Sequence, residues 1–381
     1  MRRNLPLAIQ AVWSSGFNLV SRILPSYFAQ FATASEISLI YLLYASAKFL
    51  GIPCGWLSDK IGKTKTLFLV FLLLPFLAIS FTFSKSVIFF AFMFFLIGLL
   101  GNFYYPSINA VVTIFFDHKK TEYLFKLESM YQLGMVLGPI IGGVITLKYG
   151  IDKAFYTWAV LSFLGLILST FLFKKESSFK PKTKIKKINL KEFLSQLGEK
   201  KFDFIIFLIT GSFLTGLFEA MFSLALPLYA TKIGFNISKV GWIIGLGSLV
   251  SIFGLLFLGK RLEGKRKKIS LILTTFLVGL SCVFLIFINS LIGIVFFLGI
   301  FTLGRAGGLN ITRSFISEVL NENLRATGMS ISDFAQYLGR IVGPPFAGVL
   351  IDKINIFASF GSISIISILG IILLILYQEK K

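Results

Sequence analysis

Residues 87–115 read VIFFAFMFFLIGLLGNFYYPSINAVVTIF, with no charged side chain among them. Coiled as an α-helix at ~1.5 Å per residue, the run is longer than the ~30 Å hydrocarbon core of a bilayer. The apolar residues are continuous rather than alternating, and there are too many for a barrel strand. A helix so largely apolar fits lipid on its outer side better than water. The stretch is therefore read as a membrane span.

Eleven further runs of the same kind flank it. Together the twelve cover residues 6–30, 37–56, 66–83, 87–115, 123–147, 154–173, 203–231, 239–258, 270–288, 291–316, 327–350 and 355–377. The composition agrees. Of 381 residues, 56% are hydrophobic and 14% charged, against roughly 25% charged in an ordinary soluble domain. The mean hydropathy is +0.85. A polar shell cannot be built around so much apolar surface, so a soluble enzyme, a disordered chain and a nucleic-acid-binding module are excluded as main readings. Cys54 and Cys282 lie inside apolar runs, and His118 is the single histidine. They offer no disulfide framework, no metal site and no Ser/His/Asp chemistry. No enzyme activity, cofactor or metal is expected.

The N-terminus imitates a cleavable signal, with Met1-Arg2-Arg3 before an apolar run and Ala32-Thr33-Ala34 after it. The run is too long for that and is interrupted by Arg22, so it is read as a retained first helix. The loops then orient the chain. The sequence has 38 basic and 17 acidic residues, a net charge of +21. With both termini in the cytoplasm, the inside segments carry 26 of the basic residues and the outside loops 6. The positive-inside rule selects that topology. It also accounts for the charge excess, which faces anionic lipid and needs no nucleic acid.

The longest polar segment lies in the middle, and the chain is expected to divide into residues 1–173, a basic cytoplasmic linker at 174–202, and residues 203–381. Part of the linker, residues 190–197, has apolar spacing compatible with a short surface helix or with a solvated linker. The two halves resemble each other. At an offset of 205 residues, Leu133-Gly134, Gly138-Pro139 and Gly143 match Leu338-Gly339, Gly343-Pro344 and Gly348, and Glu128 matches Asp333. At 204, Gly55 and Asp59 match Gly259 and Glu263. At 202, Leu24-Pro25 and Tyr27 match Leu226-Pro227 and Tyr229. Three clusters in the same order argue for a duplicated six-helix unit.

Between the second and third runs the chain reads GWLSDKIGKTK, residues 55–65. Gly55, Asp59, Lys60, Gly62 and Lys63 resemble the signature cytoplasmic loop of the major facilitator superfamily. Gly55 would permit close helix approach and Gly62 a tight turn. Asp59 would face the N-terminal end of a neighbouring helix, helix 11 for preference. Lys60 or Lys63 would pair with Asp117. The fifth run contains GMVLGPIIGG, residues 134–143, similar to the Gly-Pro element of the antiporter branch, although Phe125 stands where that pattern has an upstream glycine. Gly134, Gly138 and Gly142 repeat every four residues and line one face, Gly143 adjoins them, and Pro139 bends the helix. Plain helix packing in lipid uses the same residues.

The resemblance covers the whole chain. It implies an all-α membrane protein of twelve transmembrane helices in two pseudo-symmetric six-helix bundles. It also implies alternating access, with the substrate near the midplane and helices 1, 4, 7 and 10 lining the cavity. Those helices each carry polar groups: Asn18 and Arg22 on helix 1, the stripe Asn102, Tyr105 and Asn109 on helix 4, Glu219 on helix 7, and Arg305 among Gly304, Gly307 and Gly308 on helix 10. Ionisable groups inside a membrane are costly and are functional candidates. Lys48 would reach the same cavity or snorkel, and Arg313 would snorkel. Glu128 and Asp333, with Lys126 and Arg340, are read as structural pairs. Glu219 either neutralises Arg22 or Arg305 or carries a proton, since burial and an arginine partner pull its proton affinity in opposite senses.

The function expected is secondary transport of a small solute, coupled to protons and directed outward, by a monomer in the plasma membrane surrounded by lipid. Uptake or exchange of an organic anion, clamped by Arg22 and Arg305, is the alternative. A transport-inactive sensor, a membrane-embedded enzyme and a channel are weaker readings.

Overall fold

A computed structural model describes residues 4–116, 120–173, 195–262, 267–320 and 322–376. Among these residues the structure is helical throughout, with no strand. Helix α1 is Leu5–Ser21 with a short continuation, Leu24–Phe28. There follow α2 (Ala34–Ile61), α3 (Lys63–Phe83), α4 (Val87–Phe115), α5 (Lys120–Tyr149) and α6 (Ile151–Phe173). The second half holds α7 (Ser195–Lys232), α8 (Ile237–Leu262), α9 (Lys267–Phe287), α10 (Leu291–Val319), α11 (Glu322–Lys353) and α12 (Ile356–Leu376). Ten of these are long and apolar enough to cross a membrane. The twelve runs read from sequence each fall on one helix. Large apolar side chains such as Ile52, Phe76, Ile88, Phe287 and Ile292 are exposed, an outer surface suited to acyl chains and not to water.

The helices bend where the sequence removes a backbone donor. Pro25 cannot donate to the Ser21 carbonyl one turn back, and the Tyr41 hydroxyl donates there instead, at 2.9 Å. In α2, residues Ala47–Leu50 tighten into a 3₁₀ turn just before Pro53, and the Gly51 N–H turns to the Lys48 carbonyl. The Ala47 carbonyl is taken by Asn102 Nδ2 of α4, at 2.6 Å. The start of α2 is a capping box in which Thr33 and Glu36 each accept from the other's backbone N–H. In α7, Leu208–Phe213 form a π-helical turn.

The helices group into two units. One takes the described residues up to Phe173 together with Ala230–Gly245. The other takes the described residues from Ser195 to Tyr229 and from Leu246 onward. Inside the first unit α1 packs on α5 and α6, and α3 on α4 and α6. Its core is aromatic: Phe81 stacks on Phe155 and Trp158. Inside the second, α7 packs on α11, α9 on α10 and α12, and Phe222 stacks on Phe301 at 3.8 Å.

The duplication read from sequence reappears in atomic contacts. A Cβ on Gly134 would strike Ser14 and the Ser15 backbone; on Gly339 it would strike the Gly216 and Leu217 backbone. A Cβ on Gly138 would meet Asn18 and Leu19; on Gly343 it would meet Ala220 and Met221. These pairs are related by the offsets of 205 residues for α5 and α11 and 202 for α1 and α7. The α1–α5 and α7–α11 crossings are thus the same packing made twice.

Candidate functional site

In the first unit the polar candidates hang from the bend in α1. Asn18 is buried. Its amide donates to the Ser14 carbonyl at 2.8 Å, and its Oδ1 accepts from Arg22 Nε at 3.3 Å. Arg22 sits at the end of Leu5–Ser21, where the helix breaks before Pro25. The polar stripe of α4 divides into three environments. Asn102 is buried on the α2 bend, as above. Tyr105 accepts from Trp13 Nε1 at 3.2 Å, and Asn109 is exposed.

Lys48 enters this region from the 3₁₀ turn of α2. Its ammonium lies 5.3 Å from the Tyr105 ring centre and 5.9 Å from that of Tyr44. Gly101 leaves the room, since a Cβ there would stand 3.3 Å from Lys48 Nζ. Trp13 stacks on Tyr104 at 4.1 Å and meets Tyr105 edge-on, walling off the seat. Such rings stabilise a cation in a water-poor place. Lys48 stood out in the sequence as an ionisable residue within a span. Nothing there singled out Trp13 among so many aromatic residues.

The second unit carries a more concentrated charge. Glu219 Oε2 on α7 accepts from Arg305 Nη1 on α10 at 3.0 Å, and from Arg340 Nε and Nη2 on α11 at 3.1 and 2.7 Å. The Glu219 and Arg305 side chains are 17% exposed and that of Arg340 31%. Two arginines on one carboxylate leave the cluster with one positive charge in excess. The Arg340 guanidinium also lies 5.4 Å from the Tyr337 ring centre.

Glu219 does pair with Arg305, as expected, and the remaining pairings differ from expectation. Arg340 holds Glu219 rather than an acid near a helix end. Asp333 pairs with Arg313 at 2.7 Å, and Glu128 accepts from Gln132 at 2.8 Å. Spacing along one helix predicts the Glu128–Gln132 contact but not the ion pairs, whose partners come from α7, α10 and α11. The glycines near Arg305 also differ from expectation. Gly304 and Gly307 close α10 onto Thr274 of α9, and Gly308 meets Thr215 and Leu271. They bring helices together and do not clear space for the guanidinium.

The 55–65 motif forms the turn from α2 to α3. Gly62 has φ +101°, a conformation that disfavours side chains, and ends the helix as expected. Asp59 pairs with Lys63 at 2.5 Å, and the Lys60 ammonium lies 3.7 Å from the Trp56 ring centre. Asp117, the partner expected for one of these lysines, lies outside the described residues. A Cβ on Gly55 would meet nothing within 4 Å, so the close approach expected at Gly55 is not made among the described residues. The α5 motif does make one. Gly134, Gly138 and Gly142 all face α1, and a Cβ on Gly142 would overlap the Leu19 carbonyl. Gly143 and the Pro139 carbonyl face Ser238 and Gly241 at the start of α8, within the same unit.

Comparison with known proteins adds the family. The model of the Major Facilitator Superfamily matches residues 7–304 and 208–381. An uncharacterized MFS-type transporter of Methanocaldococcus jannaschii is 26% identical over 353 residues, 90% of this chain and 89% of that protein. Multidrug resistance protein MdtG of Salmonella arizonae is 26% identical over 255 residues, 64% of this chain and 62% of MdtG. The chain thus spans less than two thirds of the MdtG length. Among solved structures, a POT family transporter in complex with 5-aminolevulinic acid superposes with a TM-score of 0.78 at 15% identity, covering 98% of this chain and 95% of that one. A bacterial homolog of the human lysosomal transporter Spinster, inward-facing and unoccupied, gives 0.71 at 12% identity, covering 98% and 94%. At these identities the structural likeness is one of fold.

Proposed function

From the premise that this chain belongs to the major facilitator superfamily, and is thereby a multi-span membrane transporter, we propose that it moves a small solute by proton-coupled alternating access, with Glu219 as the proton-carrying group. One observation supports this reading most: a carboxylate inside a span, held on one oxygen by Arg305 and Arg340. An ion cluster of that kind changes its internal bonding when a proton is added or removed. That is what coupling requires.

Efflux is the direction we assign, and similarity to MdtG supports it. Uptake or exchange of an organic anion is the second reading, favoured by the positive excess of the Glu219 cluster and by Arg22 and Lys48 in the first unit. The proposal places the protein in the plasma membrane as a monomer, and the loop charges support cytoplasmic termini. Its partners are the solute, protons and lipid, with no nucleic acid and no cofactor.

The test is transport in proteoliposomes under an imposed pH gradient, with internal pH followed by a trapped dye. Solute flux should move protons in the wild type and lose that movement in Glu219→Gln. Unchanged proton movement in the variant would remove Glu219 from the role.

A further inference from the structure

The second unit supports a statement about substrate class, which rests on the transporter reading above. We propose that Arg305 and Arg340 form an oxyanion site occupied in this structure by the protein's own Glu219 carboxylate. The transported solute then carries a carboxylate or phosphate group that takes its place.

The first unit packs its matching helices without such a cluster. Applying the offsets that relate the two halves, Glu219 corresponds to Phe17 and Arg340 to Met135. Helices α4 and α10 begin at Val87 and Leu291, so Arg305 corresponds to Gly101. The first unit makes the equivalent α1–α5 crossing through Gly134 and Gly138, while Phe17 packs on Tyr44, Phe94 and Trp158, so no carboxylate–arginine pair stands at the matching positions. The α1–α5 crossing thus forms without an ion cluster, and the α7–α11 crossing has the matching glycine contacts at Gly339 and Gly343. Buried ion clusters rarely stabilise a fold more than apolar residues of similar shape.

The sign of the charge selects the kind of ligand. Should Glu219 move away, two neighbouring guanidiniums would lose the carboxylate they share, which is costly for partly buried charges. A neutral solute cannot offset that, and a cationic one would have to draw Glu219 away from both arginines while adding charge of the wrong sign. A second oxyanion exchanges for the first with every donor still satisfied. The donors suit it: Arg340 already presents Nε and Nη2 to one oxygen, and Arg305 adds Nη1 from another helix. The Tyr337 ring beside Arg340 keeps the guanidinium in place while the anion changes. One turn before Arg340 on α11, Gln336 is buried, and its amide nitrogen has no acceptor. It stands on the same face of the helix as Arg340 and offers a further neutral donor.

The experiment uses three probes with one phenyl body and different heads: benzoate, phenyl phosphate and benzylamine. Binding is measured by calorimetry on purified full-length protein in detergent. Glu219→Gln keeps the shape of the internal occupant and removes its charge, so it should bind benzoate or phenyl phosphate about ten-fold more tightly than the wild type. Whichever anion gains more identifies the head group. Benzylamine should show no gain. Adding Arg340→Lys, which keeps the charge and loses the paired donors, should cancel most of the increase. The same wild-type affinity for both anions in Glu219→Gln, no anion binding in either protein, or a gain that survives Arg340→Lys would each overturn the proposal. Proton movement in Glu219→Gln is a separate readout. If protons still move while anion affinity rises, the coupling role fails and the oxyanion site stands. If protons stop and affinity is unchanged, the reverse holds.

Discussion

Arg340 Nη2 lies 2.7 Å from Glu219 Oε2, although 121 residues separate the two in the chain. The bond joins α11 to α7 inside one unit, and Arg305 reaches the same oxygen from α10. Three helices thus meet at one carboxylate oxygen, and the cluster keeps a positive excess.

Removing the carboxylate should cost stability because the arginines lose their counter-charge. Glu219→Ala is expected to destabilise the protein by about 2 kcal/mol, below the buried-pair range because the side chains are partly exposed. Adding Arg340→Ala to it should recover part of that loss. Thermal unfolding in detergent, followed by tryptophan fluorescence, compares the wild type, the single and the double variant. A double variant less stable than the single one would count against charge repulsion as the cause.

The glycine faces make a paired prediction. Gly142→Ala drives a methyl group into the Leu19 carbonyl, whereas Gly55→Ala meets nothing within 4 Å. The first should lower the yield of folded protein several-fold by splaying α5 from α1, and the second should leave it unchanged. Size-exclusion profiles of fluorescent fusions measure both. Equal yields would mean that the α1–α5 contact adjusts without loss.

The two repaired bends predict hydrogen-bond losses of ordinary size. Tyr41→Phe removes the donor to the Ser21 carbonyl, and Asn102→Ala removes the donor to the Ala47 carbonyl. Each should cost about 1–2 kcal/mol. Asn102→Ala should also retain transport if the residue serves the α2 bend alone. Melting curves together with flux separate the two roles, and a stable but inactive Asn102→Ala would move this residue back to the substrate.

Topology can be checked by cysteine labelling in a Cys54→Ser, Cys282→Ser background. Lys60→Cys should resist a membrane-impermeant maleimide applied to intact cells, and Lys153→Cys should react with it. Reversal of that pattern would invert the orientation.

Much of this molecule can be read in one dimension. Run length, composition and loop charge are properties of the chain, and they determined twelve membrane helices because lipid demands that each span satisfy its own backbone. The repeat was equally legible: glycines 205 residues apart match because identical backbone crossings exclude side chains at identical places. Arg22, Lys48, Glu219, Arg305 and Arg340 stood out because a charge in hydrocarbon is costly wherever its helix lies. Of their pairings, only Glu219 with Arg305 was among those readable in the chain. An arginine reaches any acid that three-dimensional packing brings within a few ångströms, so only the crossing of α7, α10 and α11 decided that Arg340 joins Arg305 on Glu219 while Arg313 takes Asp333. The same holds for Asn102, whose place in a polar stripe gave no sign that a carbonyl loosened in α2 would claim its amide.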